Sequence, residues 1–271
     1  MGKFDGVLIL SDMDGTLLNS AAQVSEENRR AIEYFQANGG YFSVATGRSK
    51  AGMEYFARDG LLNAPAVIYN GAAVYDFGDM RALYSLSVGE RGYTLAERLI
   101  ELFPDAGVEV YLEDASIIAH SSEITERHFR YVHAEPRYMD IAEIPHPWLT
   151  MVLTREPDSI GELEEYIKVN FPGEFFAQYS LPYYLEVLHR EANKAWGTLK
   201  LAKHMNIKAN DLYTIGDGRN DVELVSCTAN GYAPANACAE IMALEPRMLP
   251  DNDAHAIAAL IDELDKKYSR R

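Results

Sequence analysis

Four aspartates stand in two short polar segments, each following an apolar run: Asp12 and Asp14 in SDMDG, Asp217 and Asp221 in GDGRND. If the first run is a strand, two-residue alternation can point the Asp12 and Asp14 carboxyl groups to one side of its end. Carboxylates gathered at strand ends repel one another, and the usual remedy is a hard divalent cation with oxygen ligands. Magnesium fits best, because it keeps waters and binds through one or two carboxylates plus a substrate phosphate. Gly15 and Thr16 after Asp14, and Gly47 after Thr46, place small residues and backbone amides where an anion can approach closely. Thr46 adds a hydroxyl, and Lys194 opens a predicted helix as a point positive charge suited to a phosphoryl oxygen. Together these parts describe phosphoryl transfer, where catalysis is mostly positioning and charge stabilisation. A carboxylate nucleophile with an adjacent carboxyl as acid and base is one form of it.

Each residue also has a plainer explanation when taken singly. Asp12 or Asp14 can cap a turn, Thr46 and Gly47 can form a strand-to-helix turn with N-capping, and Lys194 can be a solvated helix residue. The joint occurrence of DMDGT near one end and GDGRND near the other favours a site. Arg48 stays open between steering phosphate and pairing with a core carboxylate. Asn70 reads as a turn residue before a substrate contact. The seven histidines show no HxxxH or HExxH spacing, which argues against zinc.

The elements that must carry these residues alternate. Residues 7–10 read as a buried parallel strand. A helix capped by Ser25 runs through Ile32 and Phe35 to a stop at Asn38, Gly39 and Gly40. YFSVAT is a second strand, AGMEYFAR a second helix, and PAVIYN a third strand before a turn at NGA. This predicts a doubly wound parallel sheet. From about residue 84 the pattern changes: a helix over 95–103 precedes strands VEVYL and SIIAH joined by EDA, and WLTMVLT, SIGELEEYIKVN, EFFAQYS and YYLEVLH follow. Residues 84–187 therefore read as an inserted α+β domain with an antiparallel sheet. Parallel grammar resumes with a helix over 194–204, strand LYTIGD, helix DVELVS, strand NGYA and a closing helix over 255–268. The core is expected at 1–83 and 188–271, with both junctions near strand carboxyl ends and the insertion over the site as a cap.

Composition sets the outer limits. With 271 residues, 48% of them hydrophobic, the chain can bury one large core or two modest ones. Its 41 acidic against 25 basic residues give a net charge of -16, which opposes binding to nucleic acid or anionic membranes. An anionic substrate then needs a metal or a few placed cations. Two cysteines, Cys227 and Cys238, match no redox or zinc spacing and suggest a reducing compartment. The N-terminal apolar run is too short for a signal h-region or a membrane span. A soluble, cytoplasmic protein is expected, as a monomer or small homo-oligomer.

The sequences DMDGTLL at 12–18, ATGR at 45–48, Lys194 and GDGRND at 216–221 resemble, in order, the four motifs of the haloacid dehalogenase superfamily. NGA at 70–72 and the insertion between the second and third motifs are similar to its Cof-type phosphatases, which carry an α/β cap of the C2 kind. The resemblance implies that Asp12 attacks phosphorus, and that Asp14 protonates the leaving alkoxide and then activates water. It implies that Asp12, the Asp14 backbone carbonyl and Asp217 hold Mg2+, with Asp221 in support or as a further ligand. Thr46, Gly47, Lys194 and Asn220 would bind the phosphoryl group. Two departures stand out: Ala195 where the family often has Gly, and PDNDAH at 250–255 where its late segment reads SNDxDG. The expected activity is Mg-dependent hydrolysis of small phosphate monoesters, sugar phosphates or similar metabolites, through an aspartyl phosphate. A phosphomutase on the same scaffold is the nearest rival, but the insertion offers only scattered arginines for a second phosphate. A phosphometabolite-binding regulator on an inactive fold is the other, and it usually lacks a motif residue.

Overall fold

The computed structural model describes residues 2–132 and 136–269, and the side chains of 128–132 are not among those described. Two compact units emerge: one runs to Tyr84 and resumes at Asn193, and the other is Ser85–Ala192.

The first unit opens with β1 (Leu8–Ser11), buried throughout. Next comes α1 (Glu26–Ala37), where Ser25 accepts from the Asn28 N–H and Glu26 and Glu27 suit the positive helix start. Ile32 and Phe35 form its buried stripe, and Gly39 just beyond takes φ +90. There follow β2 (Tyr41–Val44), α2 (Lys50–Arg58) and β3 (Ala66–Ile68). Here the structure departs from the sequence reading. Tyr69, Asn70 and Gly71 all take positive φ, which reverses the chain at the expected turn. The chain returns as β4 (Ala73–Asp76), antiparallel to β3, and continues into β5 (Arg81–Ser85), giving a three-stranded sheet β3-β4-β5. β3 still meets the end of β2 through one parallel bridge, Ala45 to Val67.

The second unit contains α3 (Gly89–Leu102), β6 (Gly107–Tyr111), β7 (Ser116–His120), α4 (Glu123–Val132) and β8 (Thr150–Thr154). It closes with α5 (Gly161–Asn170), β9 (Phe175–Leu181) and β10 (Tyr184–His189). Its five strands lie in the order β7-β6-β8-β10-β9 and pair antiparallel. Alternate residues Val108, Val110, Met151, Leu153, Leu185 and Val187 share one core with Leu95 and Leu99 of α3 and Leu163 of α5. α4 was not expected from the sequence.

The first unit resumes with α6 (Lys194–His204), β11 (Leu212–Ile215), α7 (Val222–Ser226), β12 (Gly231–Pro234), α8 (Ala239–Met242), β13 (Arg247–Leu249) and α9 (Ala256–Tyr268). The main sheet has the order β13-β12-β11-β1-β2, and each neighbouring pair is parallel. β1 lies between β11 and β2 with Ser11 level with Ile215 of β11, so the segments that follow β1 and β11 leave the sheet side by side. In a parallel sheet, that carboxyl edge is where ligands bind. Among the described residues no helix is long and apolar enough to cross a membrane.

Candidate active site

Asp12 is the first residue beyond β1, and its N–H donates to the Ile215 carbonyl at 2.8 Å, fastening the loop to the end of β11. Its Oδ1 accepts from Lys194 Nζ at 2.6 Å, and the same ammonium donates to Asp221 Oδ1 at 2.6 Å. Lys194 is the first residue of α6, capped by Asn193, which accepts from the Trp196 N–H at 2.8 Å. The Lys194 side chain is 0% exposed, and α6 starts hard against Gly71. A Cβ on Gly71, at φ +95, would collide with the Asn193 carbonyl. Asp221 Oδ2 accepts from the backbone N–H groups of Asp217 at 3.2 Å and Gly218 at 3.0 Å. Thr16 Oγ1 donates to Asp217 Oδ1 at 2.6 Å. Gly15, at φ +84, lies where a Cβ would strike the same Asp217 carboxylate.

Asp12, Asp217 and Asp221 each bring a carboxylate oxygen within 4.8 Å of the others. One buried ammonium faces three carboxylates, so the group carries excess negative charge in a place poor in water. Burial, and then the Asp221 charge, push the Asp12 carboxyl well above its ordinary range against the pull of Lys194. Burial likewise raises Asp217 to about 6, opposed by the Thr16 hydroxyl. On Lys194, burial acts downward but is overcome by the charges of Asp12 and Asp221, so its pKa is raised and it stays charged. An all-oxygen donor set with unmet negative charge fits a hard divalent cation.

A pH dependence follows. A carboxylate whose folded pKa exceeds its unfolded value holds its proton more tightly when folded, so its contribution to stability falls as pH rises between the two values. For Asp217 that window runs from 3.8 to about 6. In chelator, the wild-type melting temperature should drop across it relative to Asp217→Asn, and the gain from added magnesium should grow as pH rises. Parallel curves for the two proteins would contradict the assignment.

Asp14 behaves differently from its expected partnership with Asp12. The strand ends at Ser11, so two-residue alternation no longer applies, and the Asp14 side chain, 61% exposed, turns to Arg48. Arg48 Nε and Nη2 donate to its two oxygens at 2.9 and 2.6 Å, while the guanidinium lies 5.3 Å from the Phe56 ring centre. Arg48 thereby pairs with a carboxylate of the loop after β1. Thr46 is buried, and its Oγ1 accepts from the Arg48 N–H at 3.1 Å; α2 is N-capped by Ser49 instead. A Cβ on Gly47 would press within 2.8 Å of Asn70 Nδ2, and Asn70 Oδ1 accepts from Asn220 Nδ2 at 3.0 Å. Asn70 thus links the segments holding Gly47 and Asn220, a role beyond shaping a turn. Ala195 is buried. In the divergent PDNDAH loop, the position of the family's Gly is held by His255 at φ +64, steadied by contact of Nδ1 with Ser25 Oγ at 3.0 Å. The hydroxyl bond of Thr16 and the partners of Asn236 and Asn252 were not legible in the sequence.

Residues 9–261 match the family model of haloacid dehalogenase-like hydrolases. The protein YxeH of Bacillus subtilis (strain 168) is 28% identical over 266 residues, covering 95% of this chain and 97% of its own. A second B. subtilis protein, 5-amino-6-(5-phospho-D-ribitylamino)uracil phosphatase YwtE, is 25% identical, with 94% and 97% covered. Among solved structures, a HAD subclass IIB sugar phosphatase superposes with a TM-score of 0.82 at 19% identity, covering 96% of this chain and 99% of that one. At that identity the likeness speaks for the fold.

Proposed function

The chain belongs to the haloacid dehalogenase-like hydrolases, and from that premise we propose that it is a magnesium-dependent phosphatase of small phosphate monoesters, with Asp12 as nucleophile. The observation that carries the reading is the buried Asp12–Lys194–Asp221 contact with Asp217 beside it.

Asp12 attacks phosphorus; the bond from phosphorus to the ester oxygen breaks, and Asp14 gives that oxygen its proton. Asp14 then takes a proton from water, which attacks the aspartyl phosphate, frees inorganic phosphate and restores the Asp12 carboxylate. For either step Asp14 must exchange Arg48 for the substrate, so the Arg48 fork describes a resting arrangement. Lys194, the Thr46 hydroxyl, the Gly47 N–H and the Asn220 amide bind the phosphoryl oxygens. Asp12, the Asp14 carbonyl, Asp217 and Asp221 would hold Mg2+. Held by these residues, the cation would supply neutralisation of the negative charge on the phosphoryl group.

Sugar phosphates or related polyol phosphates are the proposed substrates. In support, YwtE is named for a phosphorylated ribityl compound and the superposed structure is called a sugar phosphatase. We assign the choice among them to Ser85–Ala192, since every motif residue lies outside that unit. A cytoplasmic workplace and a monomer or small homo-oligomer complete the reading, to be checked by cell fractionation and light scattering.

The test is phosphate release from a panel of phosphomonoesters. Turnover should require magnesium, and calcium should inhibit through its longer, more flexible coordination. Alanine changes in the inserted unit should reorder the panel yet leave p-nitrophenyl phosphate within about tenfold. Full activity after exhaustive chelation would sink the magnesium role, and equal losses on all substrates from every inactivating change in the unit would sink its selectivity role.

A further inference from the structure

The loop at 250–255 lacks the family's pattern, yet it is bonded to the segment that follows Asp12. Asn252 Nδ2 donates to the Leu18 carbonyl at 2.9 Å, and its own N–H donates to Asn236 Oδ1 at 3.1 Å. Asn236 Nδ2 in turn donates to the Gly15 carbonyl at 2.8 Å. Beside this relay, Asp253 accepts from the Ser20 N–H at 2.7 Å and the Ser20 hydroxyl at 2.6 Å. Asp251 accepts from the Ala254 N–H at 2.7 Å, holding the loop's own turn.

From these bonds we infer that Asn236 and Asn252 are positioning residues for the catalytic loop, acting through Gly15. The left-handed Gly15 backbone lies against Asp217, and Thr16 bonds the same carboxylate. Gly15 and Thr16 therefore form one wall of the carboxylate cluster. A peptide is planar, so fixing the Gly15 carbonyl fixes the plane that carries the Thr16 N–H as well. Glycine has the least sterically restrained backbone of any residue, and Gly15 takes positive φ, so this wall needs an outside hold to stay in one geometry. Asn236 supplies that hold from beyond β12, and Asn252 orients the Asn236 amide so that Nδ2 faces Gly15. Two exposed or half-exposed amides, outside the four motifs, thus set where Asp217 and Asp14 stand relative to Asp12.

The inference rests on the proposed role of the Asp12 loop in turnover. Its test compares Asn236→Ala, Asn252→Ala and the double variant with Asn38→Ala. Asn38 makes the same kind of bond, Nδ2 to the Tyr34 carbonyl at 2.8 Å, at the end of α1. Asn236→Ala and Asn252→Ala should each lower kcat about tenfold, the order set by one hydrogen bond, with KM within about threefold. Both should also need more magnesium for half of the cation-induced rise in melting temperature. Because they act in series, the double variant should lose no more than about threefold beyond the worse single one. Asn38→Ala should lower stability comparably and leave kcat unchanged. Unchanged kcat in both loop variants, or losses that multiply in the double variant, would overturn the relay. If Asp12→Asn is dead while these variants are fully active, the relay fails and the nucleophile stands; if Asp12→Asn is active, the catalytic reading itself fails.

Discussion

Asp12→Asn should cut phosphate release by at least about a thousandfold while the protein folds as before, since an amide is a poor nucleophile and a weaker metal ligand than a carboxylate. Loss of activity alone would not separate a nucleophile from a structural ion pair, so the stability side matters. The Asn side chain can still accept from Lys194 at the position where Asp12 Oδ1 does, at 2.6 Å. Burial and Asp221 hold the Asp12 carboxyl above its ordinary range, meaning that its ionisation costs stability near neutral pH. Removing that charge should leave the chelated protein as stable as wild type or more so, and the difference should vanish in acid, where Asp12 is protonated. An inactive variant that is also destabilised near neutral pH would point to a structural role.

Lys194→Met should have the largest effect on stability. Among the described residues Lys194 is the one cation bonded to Asp12 and Asp221, and its side chain and those two carboxylates are almost wholly buried. Breaking a buried pair by removing one partner leaves an uncompensated charge and costs about 3–5 kcal/mol. In chelator the variant should therefore melt well below wild type, and magnesium should recover more stability in it than in wild type. Turnover should be lost even at saturating magnesium, because the phosphoryl group loses its point charge. A Lys194→Met protein with wild-type melting in chelator would show that the cluster does not depend on this ammonium.

How far the sequence could be read is clearest at particular residues. The runs that became β1 and β11 were legible because a buried parallel strand is continuously apolar, and the polar segments after them could only lie at strand ends. That brought Asp12, Asp217 and Asp221 into one neighbourhood on paper. Pairing direction was not legible at Ala66–Ile68, since three apolar residues buried on both faces carry no mark of parallel or antiparallel partners. The reversal lay in the backbone, in positive φ at Tyr69 and Asn70 as well as at Gly71. The hairpin of β4 and β5 and the edge strand β13 were missed for a related reason: they are short or only partly buried, so their periodicity is weak. At the site, the Arg48–Asp14 fork and the Asn252–Asn236–Gly15 relay join residues that are 34 and up to 237 positions apart. Hydrogen bonds of that kind follow from tertiary folding and leave no local signature.

The central claim is a covalent phosphate on Asp12, and it can be read directly in Asp14→Asn supplied with magnesium and p-nitrophenyl phosphate. That leaving group departs without an acid, while the water step, which needs Asp14 as base, should stall. The account predicts a burst of about one nitrophenol per protein, followed by slow turnover. Quenching in acid and reducing with borohydride should then convert Asp12 to homoserine, seen by peptide mass spectrometry only when substrate and magnesium are both present. A burst with the label on another residue, or turnover by folded enzyme with Asp12 never modified, would contradict it.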